Sequence, residues 1–338
     1  MDLQTTWFLL IGVLLIGYAI LDGFDLGVGM LHLFIAKKDE ERRIPINTIG
    51  PVWDGNEVWL LTAGGAIFAA FPPVYATVFS GFYIALMLLL AALILRAVSI
   101  EFRSKEPGAT WRKSWDVAFG IGSFLASLLF GVAIGNIIRG VPLSADGEYA
   151  GTFFTLLNPF ALVIGLLAVA MFVMQGAAWL MVRTEGELRE RAQRVGLVAT
   201  VTTIALWVVA TPLSRIVAPH TWRAYANPLS YIVPVVFLVF AVGAWRQFKK
   251  GAGGRTFLFS SLAVAALVGL VGLALYPYMV PALGNLDASL TIRNASSSPL
   301  ALKTMLYIAL GGVPIVLVYT VFIYSKFFGP VKLHDHSY

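Results

Sequence analysis

Nine apolar stretches follow one another along this chain, and the loops between them are rich in lysine and arginine on every second turn. The stretches run at about 7–36, 49–71, 74–98, 115–138, 157–182, 195–217, 229–246, 256–281 and 302–327, and each meets the roughly 20 residues that a membrane-spanning helix needs. One set of loops holds Lys37, Lys38, Arg42 and Arg43, then Arg96, Arg103, Lys105, Arg112 and Lys113. It continues with Arg183, Arg189, Arg191 and Arg194, with Arg246, Lys249, Lys250 and Arg255, and with Lys326 and Lys332. The intervening loops hold only Arg139, Arg215, Arg223, Arg293 and Lys303, so all but five of the 24 basic residues lie on one side. Eight spans would break this alternation. The positive-inside rule then puts the N-terminus outside and the C-terminus in the cytoplasm.

Composition supports a single integral membrane domain over residues 1–338. Hydrophobic residues make up 59% of the chain and charged residues 12%, about half the charged share of a soluble domain. The expected class is all-α, a polytopic membrane protein. The first stretch has no basic leader and no small-residue cleavage site before its acidic residues, so it is expected to be a retained helix. The net charge of +6 reflects orientation in the membrane, and nucleic acid is not an expected partner. Cysteine is absent, which removes disulfides, thiolate metal sites and covalent haem attachment. The histidines are His32, His220, His334 and His336, the last two in the C-terminal tail. Such a chain is a poor host for haem or copper by itself, and His32 reads as an interfacial residue.

Carboxylates inside apolar stretches are costly and tend to face a bundle interior. Asp22 and Asp25 lie three apart in "LDGFDLGVG", and Asp54 and Glu57 repeat that spacing in "GPVWDGNEVW". Both pairs share a helix face, and antiparallel neighbours would bring all four to similar depths in the cytoplasmic half. Arg96 follows the run "ALMLLLAALIL" and is expected to reach back toward a carboxylate; Asp116 opens the fourth stretch on the same side. Such residues can serve as helix caps or interhelical bonds, or as a file that holds and passes protons. "YPYMVP" at 276–281 places two prolines in the eighth stretch and predicts a kink or break near the outer leaflet.

The segments "LIGYAILDGFDLGVGM", "INTIGPVWDGNEVWLLTAGGAIFAAFPPVYATVFSGFYIALML", "NIIRGVP", "FFTLLNPFAL", "QGAAWLMVRTEGEL" and "NASSSPLALKTMLYIALGGVPIVLVYT" resemble subunit II of the cytochrome bd-type quinol oxidases, in order and over nearly the whole chain. The chain is shorter than some members between its sixth and seventh stretches, as in the compact, cyanide-insensitive branch. The resemblance implies two four-helix bundles, at 7–138 and 157–281, with 302–327 as a peripheral ninth helix. It implies a complex that oxidises quinol and reduces oxygen to water, with two b haems and one d haem in a partner, subunit I. A small single-helix accessory subunit, membrane lipids and, in some members, a structural quinone complete that picture. By this resemblance Asp25 and Asp54 match carboxylates of a cytoplasmic proton path. Asp22, Arg96 and Asp116 fall where the family places further polar path residues. Glu57 departs from the pattern, since relatives often carry Gln there.

Two rival functions are a proton-coupled secondary transporter and a membrane scaffold. Transporters tend to interrupt helices at corresponding places in two halves, whereas the polar residues here concentrate in the first four stretches. The topology is open to test. A reporter fused after Tyr338 should read cytoplasmic and one inserted between Asp287 and Ser298 external; both on one side would refute nine spans.

Overall fold

The computed structural model describes residues 2–144, 146–327 and 329–333; His334, His336 and Tyr338, named above, lie outside them. Eleven helices are present among the described residues: α1 (Leu3–Ile35), α2 (Asp39–Ile49), α3 (Trp53–Ala70), α4 (Pro72–Gly81), α5 (Tyr83–Phe102), α6 (Ala109–Arg139), α7 (Pro159–Arg183), α8 (Gly186–Val217), α9 (Ile232–Lys250), α10 (Gly253–Leu275) and α11 (Pro299–Lys326). Their starts are written locally. Asp2 accepts from Thr5 N at 2.8 Å at the head of α1, and Asn158 accepts from Ala161 N at 3.0 Å at the head of α7, with Pro159 in its first turn. Each satisfies a backbone donor that the helix itself leaves free.

Eight helices are long and apolar enough to cross a membrane: α1, α5 to α8, α9 with the short turn from Pro228, α10 and α11. The predicted 49–71 span resolves differently. Its first residues finish α2, and only α3 remains, 18 residues or about 27 Å long, with Asp54, Asn56 and Glu57 in its opening turns. The predicted 74–98 span is also redrawn, because the chain breaks at Phe82 between the ten-residue α4 and the apolar α5. The eighth helix ends at Leu275, short of the predicted 281. Tyr278–Val280 leaves it as a strand, β1, paired antiparallel with β2 (Leu290–Thr291). This small ribbon is a departure from the all-α expectation. Val141 N donates to Pro281 O at 2.9 Å and Ser297 N to Ala70 O at 2.8 Å, so the ribbon, the loop after α6 and the end of α3 form one lid.

The core is organised around α1, which packs against α3, α6, α7 and α10. Helices in lipid gain little from excluding water, so close backbone approach matters more. A Cβ on Gly27 would collide with Phe172 O and lie 2.8 Å from Gly176 Cα, and Gly176 faces Gly27 in return. α11 is the opposite case: its apolar face is exposed throughout, and it is anchored at its ends by Trp7 Nε1 donating to Leu302 O at 2.9 Å and by Tyr324.

Gly27→Val should therefore abolish or sharply reduce detergent-stable protein, since overpacking costs about 1–3 kcal/mol and here the obstacle is backbone. Gly12→Ala, which meets open space, should leave the melting temperature unchanged.

Candidate functional site

Tyr18, Asp22, Asp25, Gly29 and His32 recur at spacings of four and three on α1, which places them on one face. All five are buried, with Asp22, Asp25 and His32 fully so. The face looks toward α3, α5 and α6, and two polar clusters form along it.

In the inner cluster, Arg96 of α5 donates from Nη1 to Asp22 Oδ1 and from Nη2 to Glu57 Oε1, both at 2.7 Å. The guanidinium is fully buried, so α1, α3 and α5 are tied by one cation that would be prohibitively placed without both partners. Asp25 is held otherwise. Asn56 Nδ2 donates to its Oδ2 at 2.8 Å, and Tyr324 OH of α11 donates to Asn56 Oδ1 at 2.7 Å. Asp25 Oδ1 and Asp22 Oδ2 are buried without a hydrogen-bond partner. Asp25 is bonded to a neutral amide, so a proton on it strips no cation of its counter-charge.

The second cluster forms a roof at the cytoplasmic-type, basic end. Asp116 of α6 accepts from Arg103 Nε, lies 2.6 Å from His32 Nε2 and 3.2 Å from Arg42 Nη1. Arg103 Nη2 also donates to Asp39 Oδ1 at 2.7 Å, and Arg112 Nη1 reaches the other oxygen of Asp39 at 2.7 Å. Beside it, Glu41 takes a two-pronged bond from Arg191 of α8 at 2.7 and 3.1 Å and accepts from Lys37 N at 2.7 Å. Between roof and inner cluster, Gly29 lies beside Ser123 of α6, whose buried hydroxyl donates to no partner.

Of the residues expected from sequence, the structure brings Asp22, Asp25, Glu57 and Arg96 together. It places Asp116 in the roof. Asp54 stands apart: it is exposed, and its Oδ1 accepts only from Gly55 N at 2.7 Å. It heads an exposed stripe on α3 that continues through Val58, Leu61 and Phe68.

Comparison with known proteins decides the family. Residues 3–327 match the model of cytochrome bd terminal oxidase subunit II. The chain is 41% identical to cytochrome bd-I ubiquinol oxidase subunit 2 of Escherichia coli, over 98% of this chain and 96% of that one. It is 35% identical to cytochrome bd ubiquinol oxidase subunit 2 of Bacillus subtilis, covering 96% of each. The chain belongs to the cytochrome bd terminal oxidase subunit II family. The fold agrees with a chain of the bd oxidase from Geobacillus thermodenitrificans, at TM-score 0.77 and 18% identity over 96% of this chain and 99% of that one.

As a bd oxidase subunit, the protein is a multi-pass inner-membrane component of an electron-transport oxidoreductase. Several residues of its polar face escape a sequence reading. His32 is fully buried on Asp116 rather than interfacial; its seven-residue spacing from Asp25 is the signal that would have found it. Tyr324 and Arg42 come from distant segments, and no local pattern marks them.

Arg191, as hydrogen-bond donor, and the Lys37 amide hold the Glu41 carboxyl at about 2, against an ordinary 4.5. A carboxyl depressed in the folded state stabilises it above its unfolded pKa, and this contribution fades as pH falls toward the folded value. Glu41→Gln should thus lower the melting temperature of the purified complex modestly at neutral pH, the pair being partly solvated. The gap from wild type should narrow once pH drops below about 4.5 and should close near pH 2.

Proposed function

We propose that the chain is the non-haem subunit II of a respiratory quinol oxidase, assembled with a haem-bearing subunit I, and that it carries protons from the cytoplasm for reduction of oxygen to water. The observation that carries this reading is Asp25: a fully buried carboxyl bonded to a neutral amide, on a helix face lined by other proton-carrying groups. Asp22 and Glu57 already answer the single guanidinium of Arg96, so a proton carried by Asp25 removes the charge for which no cation is at hand. The route runs from Asp116 and His32 in the roof, past the Ser123 hydroxyl, to Asp25. Gly29, beside Ser123, sits three residues from His32 and four from Asp25, about 4.5 and 6 Å along the axis. Asp54, exposed at the head of α3, is where the path leaves this chain for its partner.

The same reading takes α3 as the ninth crossing, which the alternation of basic loops requires. It puts the N-terminus outside and the C-terminus in the cytoplasm, so that the roof opens on the side from which protons are drawn. Consuming protons there while quinol releases them outside makes turnover electrogenic. We propose further that 7–138 and 157–281 act as two bundles with 302–327 peripheral.

Family membership implies haem in the complex. Among the described residues, the histidine of the polar face does not fit one. His32 Nε2 is taken by Asp116 and its ring packs edge-on against Phe119 at 5.5 Å, and no cluster of three metal-ligating side chains occurs among the described residues. The haems, and with them the oxygen chemistry, belong to the partner.

Asp25→Asn keeps the contact with Asn56 and removes the exchangeable proton. Oxygen consumption per haem should fall at least about tenfold in the assembled complex, equal to ~1.4 kcal/mol of barrier, and Asp54→Asn should behave alike. A packing role predicts loss of complex instead, with turnover per haem kept. Unchanged turnover per haem in both variants would exclude an obligatory relay.

A further inference from the structure

Away from the carboxylates, a groove of about 540 Å³ runs along α9 against α10, a volume within the about 300–1,000 Å³ of small-molecule sites. Leu238, Val239, Val242 and Phe259 line its apolar length, and Arg246 and Lys250 close one end. Gly243 makes the trough, because a Cβ there would run into the Phe259 ring. From Leu238 to Lys250 the groove covers about 18 Å of helix axis, close to one leaflet of a hydrocarbon core about 30 Å thick.

Depth is set by Trp245 and Lys249. Their cation–ring contact at 4.0 Å is of the kind that sits at the headgroup level. Arg246 and Lys250 lie at that level, one turn apart on the groove side, and neither has an ion-pair partner among the described residues. The α8 side chains bonded to this end of α9 are Arg189, which donates to Gly251 O, and Gln193, which donates to Phe248 O. An apolar trough one leaflet deep, ending in two unpaired cations at headgroup depth, has the polarity of a phospholipid with a net negative head.

We propose that this groove binds an anionic phospholipid, with the headgroup phosphate between Arg246 and Lys250 and one acyl chain along Val239, Val242 and Phe259. A helix from another protein would have to carry two acids to the same depth, whereas the lipid brings its charge there by construction.

The test uses the intact oxidase complex. After mild delipidation it is titrated with dioleoyl phosphatidylglycerol or dioleoyl phosphatidylcholine and read by native mass spectrometry. Phosphatidylglycerol should be held preferentially, and Arg246→Gln with Lys250→Gln should weaken it about tenfold or more while leaving phosphatidylcholine unchanged. A photo-cross-linking residue at the exposed Val242 should capture a phospholipid mass in native membranes. Equal retention of the two lipids by wild type, or undiminished phosphatidylglycerol in the double variant, would overturn the site. Capture of a polypeptide at Val242 would overturn it equally.

Discussion

The backbone contact between Gly27 and Gly176 governs where everything polar in this protein can point. Gly23 lies on the same side of α1, against the Phe172 ring. At 100° per residue these two glycines fall roughly opposite Tyr18, Asp22, Asp25 and His32. Pinning the bare face to α7 therefore aims the acidic face at α3, α5 and α6. A side chain in the contact would push α1 outward and carry these four buried titratable groups with it.

Charge arrangement then separates residues that look alike in the sequence. Asp22 and Asp25 are one turn apart, yet Asp22 answers a buried guanidinium and Asp25 answers an amide. Removing one partner of a buried ion pair costs about 3–5 kcal/mol, so Asp22, Glu57 and Arg96 form a structural unit. Asp25 stands outside that constraint. The roof follows the same logic at larger scale, with Asp39 and Asp116 distributed among three arginines and a histidine.

Hydropathy reads helices well where lipid is the only surrounding. The cores of α6, α7 and α10 fall inside their predicted limits. It fails at polar ends, because helix formation does not stop at the hydrocarbon boundary: α8 begins nine residues before its predicted start, in "GELRERAQR", whose Glu, Leu and Arg are good helix formers. It fails again at Phe82, which divides the predicted 74–98 run into α4 and α5. For the site, Arg96 does reach back to carboxylates, those of Asp22 and Glu57. The spacing of Asp54 and Glu57 cannot tell that Asp54 faces outward, since α3 is fully buried at Asn56, Ala63 and Ala70 alone. Which side of a half-buried helix is inside is a property of its neighbours.

Tyr324 adds a dimension of time. Its hydroxyl occupies Asn56 Oδ1, which turns the amide so that Nδ2 meets Asp25. Tyr324 stands in α11, the last of the described helices, whereas Asp25 and Asn56 belong to the first and third. A nascent chain thus inserts its acidic face long before the group that orients it exists. The hydrogen-bond chain at Asp25 acquires its direction only once α11 lies along α1, so the site is completed by a segment made long after its acids.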